Sequence, residues 1–275
     1  MKRSLLLSSV ALAVAGAIAC ADVGTAPDVP ASIELPPFAF PAVVVGDTLR
    51  DEAGVATPIR AIVRNAAGDE IPTLRATYLY ADFRRDSAFV VDTASGVVVA
   101  SRKVTDGRIA ARVGASLQVI RTLIATERPD TAFAGTVPEA LIVSLLPDTG
   151  RARAEGNTTP EIPVTVRHTS GTTPVGVHGW LVRFRLVKPA NPNNDTTQSV
   201  FLVDEQLRPS TVDTTSSEGR AGRRVRVRAA QFPVPQGNAQ VTDTVVIEAT
   251  LRYKGQVVRG APVRLIGIVI RPTSQ

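Results

Sequence analysis

Cysteine occurs once in 275 residues, at Cys20. An internal disulfide is therefore excluded, and any folded body in this chain is held by packing alone. Histidine occurs twice, at His168 and His178, with no HExxH motif and no cysteine nearby to complete a zinc-binding set. They lie ten residues apart and fall on what read as adjacent strands, so a cross-strand pair is the one metal arrangement they allow, against two ordinary rim histidines. Aromatic residues are scarce: Trp180, three tyrosines and eight phenylalanines. That is thin for the exposed ring platforms on which sugars or bases stack. There is no G-x-S-x-G elbow, no glycine-rich phosphate cradle and no D-x-D-x-DG calcium loop. Asp47, Asp69, Asp86, Asp92 and Asp106 sit in turn-like contexts, where a carboxylate accepts main-chain N–H groups. The sequence thus implies no cofactor, no metal and no enzyme.

The chain does carry an N-terminal stretch, MKRSLLLSSVALAVAGAIAC. Lys2 and Arg3 are followed by an apolar run from Leu5 to Ala19, too short for a membrane span of roughly 20 residues. A basic start, an apolar middle and small residues at the end have the order of a secretory signal. One alternative is an ordinary signal cleaved near Ala19 that leaves Cys20 as a free thiol. The segment Ala17-Ile18-Ala19-Cys20 instead resembles the lipobox of bacterial lipoproteins, with Ala17 in place of the usual leucine. The resemblance implies cleavage before Cys20, lipid attachment to its sulfur, and a protein tethered in the bacterial cell envelope. The expected site is the outer membrane, facing periplasm or cell surface. Two or three acyl chains hold a soluble body at a bilayer, where one chain would leave it reversible. Loss of residues 1–19 removes Lys2 and Arg3, so 31 basic against 25 acidic residues becomes 29 against 25, or +4. This modest balance, with an export signal, gives no footing for nucleic acid.

Residues 20–38 are rich in proline and small residues and read as a tether. Beyond them the pattern turns to short β-branched runs cut by turns. Ile59, Ala61 and Val63 alternate with Arg60 and Arg64; Leu74, Ala76, Tyr78 and Tyr80 share a face opposite Thr73, Arg75 and Thr77. A second series starts near Glu161, where Val182, Phe184 and Leu186 oppose Arg183 and Arg185. This period of two is that of half-buried antiparallel strands. The reading is all-β, with two antiparallel sandwiches in tandem over residues 39–130 and 160–275. Residues 131–159 are a linker or an extra strand, with an exposed join in 150–160.

The first body resembles bacterial immunoglobulin-like domains of the surface-protein type. The likeness rests on Val45-Gly46-Asp47-Thr48-Leu49, then RAIVRNAAGDEIP, FVVDTASGVVVA and DGRIAARV, with Asp92, Gly96, Val98 and Ala100 in the order of that family. TYLYADF replaces the family's usual signature after the middle strand. Residues 160–272 are more loosely similar. The resemblance implies two immunoglobulin-like sandwiches serving as a structural or protein-interaction module; a glycan- or ligand-binding surface protein is the alternative. An exposed aromatic cluster around Trp180 would favour a glycan. Arg224, Arg226 and Arg228 share one strand face opposite Val225, Val227 and Ala229. With Arg183 and Arg185 they compose a cationic stripe suited to an anionic glycan, a lipid headgroup or a protein. The competing reading is a solvated face whose arginines discourage edge pairing. The oligomeric state is not legible.

Overall fold

The computed structural model describes residues 27–82, 87–135, 141–142, 157–170, 172–228 and 241–271, and among them every regular element is a strand. Cys20, the proposed signal and the first part of the tether lie outside the described residues.

The first body contains β1 (Ser32–Glu34), β2 (Ala42–Val44), β3 (Ile62–Arg64), β4 (Thr77–Tyr80), β5 (Phe89–Val91), β6 (Val98–Ala100), β7 (Val104–Val113) and β8 (Leu117–Thr126). Its main sheet has the order β2-β8-β7-β4. β1 pairs with β3 and β5 with β6, both antiparallel. The Val45–Leu49 stretch is clipped to β6: Val45 and Thr48 bridge Ala100 and Val99, and the Leu49 N–H donates to Val98 O at 2.9 Å. Leu35, Leu49, Val63, Phe89 and Val98 are buried with Ile109 and Leu123 of the main sheet. The alternation legible in the sequence is the cause. Tyr78 and Ala76 turn inward while Thr77 stays at the surface, and each large apolar side chain removed from water contributes roughly 1.5–3 kcal/mol.

The second body contains β9 (Thr131–Ala134), β10 (Leu141–Ile142), β11 (Ile162–Ser170), β12 (Thr173–Gly176), β13 (Leu181–Lys188), β14 (Val200–Val203), β15 (Val212–Thr214), β16 (Arg220–Val227), β17 (Val241–Thr250), β18 (Arg252–Tyr253), β19 (Gln256–Val257) and β20 (Val263–Arg271). One sheet runs β10-β20-β17-β13-β15; the other runs β12-β11-β16-β14, with β9 also on β11. Their inner faces meet through Val164, Val182, Phe184, Leu202, Val225, Val227, Ile247 and Leu265, all buried. Among the described residues the chain is all-β, with two sandwich-like bodies in tandem.

Two details depart from a purely antiparallel design. β2 runs parallel to β8, and β10 runs parallel to β20. In each body an early strand has crossed to lie beside the last one, which heads toward the same pole.

The segment between the bodies also takes a definite place. β9 pairs with β11 over Thr131–Ala134, and β10 pairs with β20. Farther on, the Val227 N–H donates to Asn157 O and the Thr159 N–H to Val225 O, both at 2.9 Å. The described parts of residues 131–159 are therefore strand-like additions to the second body; residues 136–140 and 143–156 lie outside the description. The crossing from one body to the other takes only Glu127–Asp130, between β8 and β9. Buried apolar side chains of both bodies belong to one connected cluster.

Candidate functional site: the joint between the bodies

Four residues of connection bring the two sandwiches into contact, and the contact is built from three kinds of group. The first is aromatic. Phe40, in the turn before β2, packs on Trp180 at the start of β13, with ring centroids 4.7 Å apart and planes at 52°. Tyr253, on β18, also meets Trp180 edge-on, with ring centroids 5.9 Å apart. Tilted and edge-on geometries are the favoured ones for aromatic pairs. Only 4% of Trp180 is exposed, and its indole N–H donates to Arg252 O at 3.2 Å, so the polar end is satisfied as well.

The second is a carboxylate hub. Asp47 leaves the Val45–Leu49 stretch of the first body and accepts from both bodies. The Thr48 N–H donates to its Oδ1 at 2.9 Å, and Arg50 reaches both oxygens at 3.0–3.2 Å. From the second body, the Tyr253 hydroxyl donates to Oδ2 at 3.0 Å and Lys254 Nζ lies 3.2 Å from the same atom. Burial alone would raise the Asp47 pKa. The hydrogen bonds from Arg50, Thr48, Lys254 and Tyr253 outweigh it and bring the value down from 3.8 to about 2. The same contacts act on the partners: burial and then Asp47 raise the Tyr253 phenol, and Asp47 raises the Lys254 ammonium.

The third is close main-chain approach. Gly54, at φ +88°, faces the Lys254–Gly255 turn so closely that a Cβ there would stand 2.3 Å from Lys254 C. Thr126, fully buried at the end of β8, accepts the His178 N–H on Oγ1 at 3.0 Å. At the rim, Glu52 of the first body takes both Nε and Nη2 of Arg183 at 2.5 Å each. Beside the crossing, Asp130 accepts the Thr169 N–H at 3.0 Å and the Arg128 Nε at 2.7 Å, and His168 Nδ1 lies 2.7 Å from its Oδ2. Burial would raise the Asp130 pKa, but these neighbours hold it below the usual carboxylate range.

Several readings from the sequence change here. Trp180 is no exposed platform, because it fills the joint. The histidines take different partners: His168 joins Asp130, whereas the backbone of His178 serves Thr126. Asp92 behaves as a turn residue, accepting the Ala94 and Ser95 N–H groups. Asp47 does the same for Thr48 and is also the hub across the joint.

The five arginines do not form one stripe. Arg183 and Arg185 lie on β13, in one sheet, and Arg224 and Arg226 on β16, in the other, with Arg228 just past its end. Outer faces of two stacked sheets point away from each other, which is the physical reason the groups separate. Arg183 is held by Glu52, and Arg185 by Glu248 at 2.6 Å. Arg224, Arg226 and Arg228 are half-buried rather than free in water. Arg226 and Arg228 lie 5.8 and 5.6 Å above the ring of Phe201 on the neighbouring strand, and Arg228 Nε donates to Thr196 O at 2.6 Å. Their stems and planar heads roof an outward-facing phenylalanine that is only 3% exposed. Val225 and Val227, on the opposite face, are fully buried.

No family model matches the chain, and no curated protein matches it. Among solved structures, a protocadherin gammaB7 EC3-6 cis-dimer structure is 14% identical, over 89% of this chain and 48% of that one, with a TM-score of 0.25. The D0-D1 domain of intimin is 10% identical, over 89% of this chain and 99% of that one, with a TM-score of 0.24. The adhesin InvE of Yersinia pseudotuberculosis is 12% identical, over 87% of this chain and 58% of that one, with a TM-score of 0.29. The chain spans about half the length of the protocadherin gammaB7 chains it resembles. These are distant likenesses among all-β proteins.

Proposed function

We propose that this chain is an exported lipoprotein of the bacterial cell envelope, tethered through Cys20, whose two sandwiches act as one rigid structural or protein-interaction module. The joint carries the reading. A spacer must keep its outer body at a fixed angle, and a buried aromatic stack with a shared carboxylate resists bending in a way that a flexible linker does not. The Ala17–Cys20 segment supports the tether. Its partners in this reading are the membrane, through the lipid, and a protein or anionic glycan met by the outer body; nucleic acid and catalysis have no part in it.

Changing Cys20 to serine tests the tether. The variant is expected to lose incorporation of labelled fatty acid and to leave the membrane fraction. Retained labelling would overturn it. Ligand binding is the second reading, favoured by a polar cavity in the second body.

A further inference from the structure

On the outer face of the sheet that holds β9, β11 and β16, one large ring stands in the open. Phe133, on β9, is 47% exposed, while its neighbour Ala132 is buried in the core. The register surrounds it with arginines. Phe133 pairs with Thr165, and Thr165 with Arg220, so the ring and Arg220 share a face two strands apart, about 10 Å between strand axes. Two residues back along β9, Thr131 pairs with Arg167 on one side and bridges Arg259 on the other. Both arginines are thus diagonal neighbours of Phe133, which across an antiparallel pair means about 7–8 Å. Arg167 is half-buried, and Arg220 and Arg259 are exposed. None of the three has an ion-pair partner among the described residues. Nearby carboxylates leave them unneutralised. Asp130 is taken by Arg128, His168 and the Thr169 N–H, and Glu161 stands over Gly222 farther along the face. Glu218, in the turn before β16, pairs with none of them.

We propose that Phe133, with Arg167, Arg220 and Arg259 around it, is a docking surface for an acidic protein segment. The segment sets an apolar side chain against the ring and carboxylates against the arginines. Charge complementarity selects it: three guanidinium groups without partners repel a basic segment and leave a neutral one with no charge to match. A guanidinium also receives a carboxylate edge-on through two parallel hydrogen bonds. An aromatic anchor ringed by arginines has the composition of the residues that dominate protein–protein contacts. Phe133 is the one exposed aromatic side chain among the described residues, which suits a single anchor better than the row of rings a sugar chain would stack on. The inference rests on the protein-interaction reading of the second body and needs neither the tether nor the rigid joint.

The test is an NMR titration of the full chain, read at the Phe133 ring and the Arg Nε–H resonances. The probes, at equal ionic strength, are a blocked peptide of one leucine between two pairs of glutamates, the same peptide with lysines for glutamates, and polygalacturonate. Saturable shifts at Phe133, Arg167, Arg220 and Arg259 with the acidic peptide, and none with the basic one, are expected. Phe133→Ala should weaken the acidic peptide roughly tenfold, and so should Arg259→Glu, an exposed change that serves if the first variant fails to fold. Undiminished binding by both variants would overturn the docking surface. Tighter saturable binding of polygalacturonate at the same four residues would overturn the protein segment while leaving an interaction surface in place. No shift with any probe would overturn the site itself and leave the joint untouched.

Discussion

Replacing Asp47 with alanine removes a carboxylate that accepts from both bodies. Arg50 keeps a second acceptor, Gly54 O at 3.0 Å, and Lys254 is half-exposed and rehydrates. The loss at Arg50 is worth about 0–1 kcal/mol. Tyr253 differs, because its hydroxyl loses a charged acceptor inside the joint, at a cost of about 1.5–3 kcal/mol. The expected destabilisation is therefore about 1.5–4 kcal/mol, directed at the contact between the bodies rather than at either core. The chain supplies its own probe, since Trp180 is the only tryptophan and sits in the contact. In urea, Trp180 fluorescence of the variant should shift to the red before the far-UV signal is lost, whereas in the wild type the two transitions coincide. Acid gives an independent arm. The Asp47 pKa is depressed in the folded state, so its contribution is full above about pH 4 and is lost as pH falls through about 2. That displacement corresponds to at most ~2.5 kcal/mol, and to about 1–2 kcal/mol once partial solvent screening is included. The wild type should redden between about pH 4 and 2, and Asp47→Ala should lack that step. A variant whose fluorescence midpoint stays within about 0.5 kcal/mol of wild type would refute the hub.

Other substitutions separate the elements of the account. Gly54→Ala places a Cβ against the Lys254–Gly255 main chain at a positive φ, so it should open the joint, by the same fluorescence measure, at least as much as Asp47→Ala. Arg183→Ser breaks an exposed pair with Glu52 and should cost less than about 1 kcal/mol by urea unfolding, shrinking further in high salt. Val227→Ala, in the core of the second body, should lower stability by roughly 1–3 kcal/mol in calorimetry. Equal costs for Arg183→Ser and Val227→Ala would mean that the strand faces are misassigned.

The strands were legible because burial on one face of a sheet imposes a period of two, and Val182, Phe184 and Leu186 against Arg183 and Arg185 follow it directly. The crossing at Glu127–Asp130 was not. Its residues look like any turn, while the apolar run at residues 140–146 looks equally like a linker strand or a new beginning. The hub was hidden for a different reason. Asp47 and Tyr253 are 206 positions apart, and nothing in a local window distinguishes a turn aspartate with one set of partners from one with two. The arginine stripe failed on topology. Strand alternation fixes which residues share a face of one strand, but not which strands share a sheet. A signal for Trp180 existed: a lone tryptophan at a strand start in a chain poor in aromatics marks a place where a large buried contact is needed.

The central claim, that the two sandwiches move as one body, is tested most directly by a distance distribution between them. Spin labels placed through Gln118→Cys on the first body and Gln198→Cys on the second, in a Cys20→Ser background, report it by pulsed electron resonance. Both positions are exposed, so the labels leave the packing intact. The account predicts a single narrow distribution that broadens when Asp47→Ala is added. A broad distribution in the labelled parent, unchanged by Asp47→Ala, would contradict it.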